Sequence, residues 1–265
     1  MTNLTMLNSK QLYYRRLGTP TGPHMLFLHG LGSSSEYFSS LITHLGLEKT
    51  YSIHLLDLEG QGHSPTSAES TVSISSYTAD VLALAEHSHF TETTIIAHSL
   101  GCLIALKLAI EHPEIVSKLI LLGPPPSPFP EIVRNECIER ARTVRRSGMS
   151  PVAELFSIVG TSSKSKTGNA LAVTAVRTSL LAQEVEGYAK GCIALGEAAE
   201  ALPVQDAMAE TLIITGDEDK FCPPVVLEGY AGKISGLKVV VLPQVGHYHI
   251  WEDLSAVAEA VDGFL

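Results

Sequence analysis

Thr94-Ile95-Ile96-Ala97-His98-Ser99-Leu100-Gly101-Cys102 is the stretch of sequence that decides the fold. An apolar run typical of a buried strand stops at Ser99, and helical spacing continues from Leu100 to Ile110. A strand, a tight turn with a serine and a helix form a nucleophile elbow, usually written G-x-S-x-G. Ala97 replaces the first glycine, which is the smallest departure from the rule. Ser99 is therefore the candidate nucleophile, with a plain helix N-cap as the alternative.

A second strand-to-turn segment lies near the start of the chain. The apolar run from Met25 to Leu28 is followed by His29-Gly30-Leu31-Gly32-Ser33-Ser34. In enzymes with a nucleophile elbow, an early strand-end loop supplies one of the two oxyanion donors. We predict that the backbone N–H groups of Leu31 and Leu100 are these donors, because a helix N-terminus leaves its first amides unpaired. The alternative is a glycine-rich turn with His29 as a buried structural imidazole.

A candidate acid follows a third apolar strand. The run from Thr211 to Thr215 ends in Gly216-Asp217-Glu218-Asp219. Asp219 lies three residues after Gly216 and four before Pro223, which is the G-x-x-D-x-x-x-P spacing of a triad acid. We predict that Asp219 orients the catalytic histidine. Asp217 and Glu218 are the alternatives, as solvated turn residues.

A candidate base follows the last β-rich run. Residues 238–242 lead into Gly246-His247, and Glu252 follows five residues after the histidine. The G-H-x-x-x-x-E spacing and the strand end favour His247 as the general base, with His249 as the alternative. Eleven histidines are present, so only the combination of strand end, glycine and chain order distinguishes this one.

The order Ser99, Asp219, His247 resembles that of the α/β-hydrolases and differs from the orders in chymotrypsin and subtilisin. The segment Asp57 to Ser64 matches another feature of that family, D-x-x-G-x-G-x-S, for which we predict a structural role. The chain is similar to α/β-hydrolase fold proteins over nearly its whole length. The resemblance implies a Ser-His-Asp triad that needs no cofactor and no metal.

Two further segments resemble one particular group within this family. Residues 139–153 and the G-Y-A-x-x-C-x-A-L pattern at 187–195 resemble the cap of 3-oxoadipate enol-lactonases. This likeness implies a serine hydrolase that cleaves a small carboxylic ester or lactone through an acyl-enzyme. If the substrate carries carboxylates, a cation should face the cleft, and Arg134 and Arg140 are candidates. A carbon–carbon bond hydrolase or other lyase-type member with the same triad, and a ligand sensor with negligible turnover, are the alternative functions.

Periodicity predicts an α/β fold with a mainly parallel central sheet flanked by helices. A hairpin over 4–16 precedes strands near 25–28, 51–57, 93–98, 116–122, 210–216 and 237–242, with helices near 35–45, 74–88, 100–111, 223–233 and 252–264. After the sixth strand, a proline-rich exit leads to helices near 131–146, 150–159, 168–182 and 184–199, with a polar, mobile link over 161–167. We predict a hydrolase core over 1–123 and 201–265 and a helical cap over 124–200.

The composition of the chain limits the kinds of partner that it is expected to bind. The chain has 265 residues, 45% of them hydrophobic, and a formal net charge of -10, which argues against a nucleic acid partner. No apolar stretch is long enough to span a membrane. The four cysteines show no pairing or metal-site spacing, which favours free thiols in a reducing compartment. We therefore expect a cytoplasmic protein that acts on a small molecule, and a homodimer through the cap is compatible with the sequence.

Overall fold

Short apolar runs form the centre of one eight-stranded sheet in the computed structural model, which describes residues 3–265. Met1 and Thr2, at the start of the predicted core segment, lie outside the described residues. The strand order is β1-β2-β4-β3-β5-β6-β7-β8, antiparallel for β1–β2 and β2–β4 and parallel for the other pairs. The strands are β1 (Leu4–Leu7), β2 (Lys10–Gly18), β3 (His24–Leu28), β4 (Ser52–Leu56), β5 (Thr93–His98), β6 (Val116–Leu122), β7 (Glu210–Gly216) and β8 (Lys238–Leu242).

Helices cover both faces of this sheet. Alternate residues of each central strand join different apolar clusters: Leu26 and Leu28 pack with α2 and α3, whereas Met25 and Phe27 pack with α1 and α10. The helices that cover the sheet are α1 (Ser39–Leu45), α2 (Ile74–Ser88), α3 (Leu100–Glu111), α9 (His249–Glu252) and α10 (Leu254–Asp262). Because both faces are buried, the central strands are mostly apolar, which is typical of parallel sheets.

Five helices lie between β6 and β7: α4 (Glu131–Ser147), α5 (Ser150–Val159), α6 (Ser163–Gly168), α7 (Ala170–Leu181) and α8 (Val185–Gly196). We call residues 124–200 the insertion. Within it, α4 packs against α8 and α5 against α7. The insertion also contacts the rest of the chain closely, because a Cβ on Gly187 would lie 2.0 Å from the carbonyl oxygen of Gly60. None of the helices within residues 3–265 combines the length and the apolar content that a bilayer span requires.

The D-x-x-G-x-G-x-S segment ties a loop together. The two carboxylate oxygens of Asp57 accept the backbone N–H groups of Ser35 at 2.7 Å and His63 at 2.9 Å. The hydroxyl of Ser64 donates to the Asp57 carbonyl at 2.6 Å and accepts the Tyr13 N–H at 2.8 Å. These contacts hold the loop after β4 against β2 and the start of the turn before α1.

The prediction of a mobile link over residues 161–167 is wrong. Helix α6 forms there, and the Ser162 hydroxyl caps it by accepting the Ser165 N–H at 3.1 Å. One carboxylate oxygen of the buried Glu252 accepts the Ser162 N–H at 2.7 Å and the Ser165 hydroxyl at 2.9 Å. The polar sequence alone predicts a loop, because the acid that orders the segment lies about ninety residues away.

Two predicted helices near the C-terminus differ from the structure. The helix predicted over 223–233 is only a short 3-10 helix, Pro224–Gly229, because prolines and glycines interrupt the segment. The helix predicted over 252–264 is divided at Asp253, whose carboxylate caps α10 by accepting the Ala256 N–H at 3.1 Å.

Candidate active site

Ser99 lies in the sharp turn between β5 and α3. Its backbone has φ 50° and ψ -117°, a strained conformation for a residue with a side chain. The turn is closely packed, since a Cβ on Gly101 would lie 2.2 Å from the carbonyl oxygen of Leu28. The Ser99 N–H donates to the Leu122 carbonyl at 3.0 Å. The turn is thereby held between β3 and β6.

The early loop after β3 packs directly against this turn. A Cβ on Gly30 would lie 3.0 Å from the Cβ of Ser99, so only glycine allows this approach. Within residues 3–265 the Leu31 N–H, which follows in this loop, has no backbone acceptor. The Leu100 N–H is at the first position of α3 and has no acceptor within the helix. Two candidate oxyanion donors therefore flank Ser99.

His29 stabilises that loop and does not line the cavity beside Ser99. It is fully buried, its Nε2 accepts the Leu58 N–H at 3.0 Å, and its Nδ1 donates to the Gly30 carbonyl at 2.8 Å. Burial lowers the pKa of His29, which favours the neutral ring that these two contacts need. His29 is thus a buried structural imidazole, which is the alternative given for it from the sequence.

Asp219 and His247 form a buried pair. The Nδ1 of His247 is 2.8 Å from the Oδ2 of Asp219, and the two side chains are 6% and 0% exposed. The other oxygen, Oδ1, accepts the N–H groups of Phe221 at 2.9 Å and Cys222 at 2.8 Å. Burial alone would raise the pKa of Asp219, but the charge and hydrogen bond of His247 outweigh it and lower that pKa to about 2. The carboxylate is therefore ionised and can fix the tautomer of His247.

The two alternative acids, Asp217 and Glu218, make other hydrogen bonds. Asp217 accepts the Gln244 N–H at 2.6 Å, and Glu218 accepts the Ser163 N–H at 2.7 Å. Both carboxylates therefore bind loop amides away from His247.

The rival base His249 is fully buried, and its Nε2 is 3.7 Å from the Oδ2 of Asp219. Neither of its ring nitrogens has a hydrogen-bond partner among residues 3–265. Burial lowers the pKa of His249 to about 4, so the ring is neutral. His247 lines the cavity that Ser99 also lines, and His249 does not.

A cavity of about 540 Å³ lies between the carboxyl ends of the strands and the insertion. The core contributes Leu31, Ser99 and His247, and the insertion contributes an apolar wall that includes Val152, Phe156 and Leu180. Within residues 3–265 the Ser99 hydroxyl makes no hydrogen bond, and contacts between a nucleophile and its base often tighten only once substrate is bound.

Comparison with known proteins identifies the architecture. Residues 23–138 match the sequence profile of the α/β hydrolase fold family. A thermophilic esterase from Thermogutta terrifontis superposes with a TM-score of 0.89 at 20% identity, covering 98% of this chain and 96% of that chain. The enol-lactonase from Burkholderia xenovorans LB400 superposes with a TM-score of 0.89 at 23% identity, covering 98% of both chains. This chain has the α/β-hydrolase fold.

The fold predicted from the sequence is thus confirmed, and the likeness to these solved structures extends over the insertion as well as the core of this α/β-hydrolase-fold chain. Among curated sequences, the magnesium-chelatase 30 kDa subunit of Rhodobacter capsulatus is 36% identical over 96 residues, which are 36% of this chain and 33% of that protein. The chain thus spans about a third of the length of that relative.

Sequence reasoning missed two residues that support the site of this α/β-hydrolase-fold chain. His98, 2% exposed, donates from Nε2 to the carbonyl of His247 at 2.9 Å. Burial and the neighbouring His247 and His249 hold the pKa of His98 well below its usual range. Gln61 accepts the Gly32 N–H at 2.9 Å and donates to the Gly187 carbonyl at 3.0 Å, which links the early loop to α8. The position of His98 directly before the serine is a usable sequence signal. Gln61 lies at a variable position of the D-x-x-G-x-G-x-S segment, which gives no indication of its contacts.

The structure separates the two candidate cations. Arg140 lines the cavity, with its guanidinium carbon 4.2 Å from the ring centroid of Phe156, and Arg134 does not line it. Arg142, Arg145, Arg146 and Arg177 all pair with glutamates. Arg140 forms no such pair with any carboxylate within residues 3–265. Arg140 is half-buried, and its planar guanidinium is suited to pair with an anionic group in the cavity.

Proposed function

We propose that this protein is a serine hydrolase that cleaves a small carboxylic ester or lactone through an acyl-enzyme. The observation that carries the proposal is the buried Asp219–His247 pair, 2.8 Å apart, on the same cavity as a serine held at φ 50°. Ser99 is the nucleophile, His247 the general base and Asp219 the acid that orients it. The similarity of the fold to an esterase and an enol-lactonase supports this choice of substrate.

In the first half of the reaction, Nε2 of His247 takes the proton of Ser99 as its Oγ attacks the carbonyl carbon. The carbonyl oxygen becomes an oxyanion and accepts the N–H groups of Leu31 and Leu100. The ester C–O bond then breaks, and the leaving alkoxide or enolate takes the proton from His247. In a lactone, the leaving group stays joined to the acyl group.

In the second half, water gives a proton to His247 and attacks the acyl carbon. The bond to Ser99 breaks, and its Oγ recovers the proton from His247, which releases the carboxylic acid. No other reactant is consumed. Preorganised oxyanion donors of this kind contribute roughly 3–4 kcal/mol each to barrier lowering.

The insertion acts as a cap over this chemistry. It supplies the apolar wall of the cavity, and exclusion of water strengthens electrostatic contacts with the transition state. Arg140 would bind an anionic group on the substrate, since it faces the cavity without a carboxylate partner. The substrate class that fits is a small ester or lactone with a carboxylate on its acyl or leaving part.

A fluorophosphonate probe tests the proposal. We expect covalent labelling that peptide mapping locates at Ser99, together with turnover of short p-nitrophenyl esters or enol-lactones. Ser99→Ala should lose both, and the Ser162→Ala protein is a control for a buried serine outside the cavity. Labelling elsewhere with none at Ser99, or full turnover by Ser99→Ala, would contradict the proposal. Cleavage of vinylogous diketones but not of esters would favour carbon–carbon bond hydrolysis.

A further inference from the structure

Three side chains with different donor atoms meet at the edge of the cavity. One atom each from Asp219, Cys222 and His247 lies within 4.8 Å of the other two, and all three residues are buried. Cys222 and His247 line the cavity, whereas Asp219 lies behind them. The proposed triad uses Asp219 and His247, but it gives the Cys222 thiol no role.

The backbone holds these groups in place. The Cys222 N–H donates to the Oδ1 of Asp219 at 2.8 Å, which closes the turn that follows β7. The hydroxyl of Thr215 donates to the Cys222 carbonyl at 3.2 Å and fixes the other side of that turn. His247 arrives from the loop after β8 and is held by Asp219 and by His98. The three donors are therefore held close together by contacts within the chain.

The donor set has a clear chemical preference. Thiolate, imidazole and carboxylate are the ligands of zinc-type ions, and soft sulfur disfavours magnesium and calcium. Zinc binds such ligands at about 2.0–2.3 Å, so tetrahedral donors lie roughly 3.3–3.8 Å apart. The donors of this cluster span 2.8 to 4.8 Å, and small side-chain shifts would reach that spacing. The cavity can admit a water as the fourth ligand.

We propose that Asp219, Cys222 and His247 form a binding site for a thiophilic divalent cation such as Zn²⁺ and that its occupancy switches the hydrolase off. The inhibitory part rests on the proposed function, whereas the binding part does not. On binding, the Cys222 thiol gives its proton to solvent, and the sulfur, the carboxylate and one ring nitrogen each donate an electron pair to the ion. Thiolate and carboxylate together neutralise the two positive charges, which suits a buried site.

Binding of the ion through either ring nitrogen of His247 would inhibit the proposed reaction. If Nε2 is the ligand, its lone pair can no longer take the Ser99 proton. If Nδ1 is the ligand, its hydrogen must move to Nε2, which again removes the lone pair from the base position. The ion also takes the Asp219 carboxylate, which would otherwise stabilise the imidazolium.

Cadmium titration of metal-free protein tests the binding part, because cadmium bound to a thiolate absorbs in the near ultraviolet. We expect one Cd²⁺ per chain, displaced by Zn²⁺. The absorption should disappear in Cys222→Ala and persist in Cys137→Ala, a matched control because Cys137 also lines the cavity. His247→Gln should weaken Cd²⁺ binding at least tenfold. Circular dichroism confirms that each variant is folded, and Cys222→Ser replaces Cys222→Ala if that variant does not fold.

Ester hydrolysis in the presence of Zn²⁺ tests the inhibitory part, with each variant compared with its own metal-free rate. We expect inhibition of the unmodified chain that a chelator reverses, and at least tenfold lower sensitivity in Cys222→Ala than in Cys137→Ala. The inference is overturned if Cd²⁺ gives no thiolate band, or if the band survives in Cys222→Ala. If the band depends on Cys222 but the metal-free protein cleaves no ester, the proposed function fails and the metal site stands.

Discussion

The strand ends of the core and the helices of the insertion form the two sides of one cavity, and they are built differently. On the core side, polar groups are held by backbone contacts: Asp219 accepts two amides, and His98 donates to the carbonyl of His247. On the insertion side, the wall is mainly apolar, and outward-facing residues such as Leu171 are up to 79% exposed. The difference is the one expected if the proposed chemistry belongs to the core and the selection of substrate to the insertion.

Replacing the nucleophile should have the largest effect and should leave the stability of both sides unchanged. We expect Ser99→Ala to lower kcat/KM by a factor on the order of 10⁴ or more, because the covalent step is lost. The melting temperature should stay the same or rise slightly, since the change removes only a hydroxyl. Steady-state kinetics and thermal unfolding measure the two quantities. A hundredfold or smaller loss in kcat/KM would mean that the core does not use Ser99 for covalent catalysis.

A glycine pair tests how tightly the turn at Ser99 is packed relative to the end of α6 in the insertion. Gly101→Ala would place its Cβ 2.2 Å from the Leu28 carbonyl oxygen, so we expect the free energy of unfolding to fall by about 3 kcal/mol or more. Gly168→Ala in the insertion has no atom within 4 Å of the new Cβ and should change stability by less than about 1 kcal/mol. Urea denaturation measures both. Equal losses would contradict the contrast between the two sites.

Arg140 tests whether the insertion selects the substrate. We expect Arg140→Met to raise KM for esters that carry a carboxylate by roughly 10- to 100-fold, because a charge-assisted contact is lost. Esters without a charge should be affected less than threefold, and kcat should change little. Arg142→Met is the matched control, since Arg142 lies on the same helix but pairs with Glu139 at the surface. A similar rise in KM for charged and neutral esters would assign Arg140 a packing role.

Acid sensitivity should be a property of the core, because all eleven histidines lie outside residues 124–200. Burial, followed by the charges of His24 and Arg16, lowers the pKa of His54 from 6.5 to about 3. The unfolded chain therefore binds a proton at this site that the folded chain does not, so stability is present above pH 6.5 and is lost as the pH falls towards 3. One such group contributes at most about 1.4 kcal/mol per pH unit.

We therefore expect the melting temperature of His54→Gln to fall less steeply between pH 6.5 and 4 than that of the unmodified chain. His44→Gln, a change at an exposed histidine, is the control and should keep the original slope. Identical slopes in all three proteins would show that His54 does not contribute to acid unfolding.

Much of the fold could be predicted because its signals are local. Each central strand is an apolar run that ends in glycine or a polar residue, and α3 begins directly after Ser99. The predictions fail for segments whose structure depends on contacts with residues far away in the sequence. Helix α6 forms under the buried carboxylate of Glu252, and the contact between Gln61 and α8 joins residues 126 positions apart.

The sequence by itself determined the architecture and the chain order of Ser99, Asp219 and His247, because periodicity and turn chemistry are encoded in neighbouring residues. It favoured His247, with His249 as the alternative, and it left Arg134 and Arg140 as equal candidates. Only the tertiary structure brought His247 and Arg140 to one cavity and put the Cys222 sulfur beside Asp219. The physical reason is that distance, burial and the pairing of charges depend on how separate elements pack, which no local pattern records.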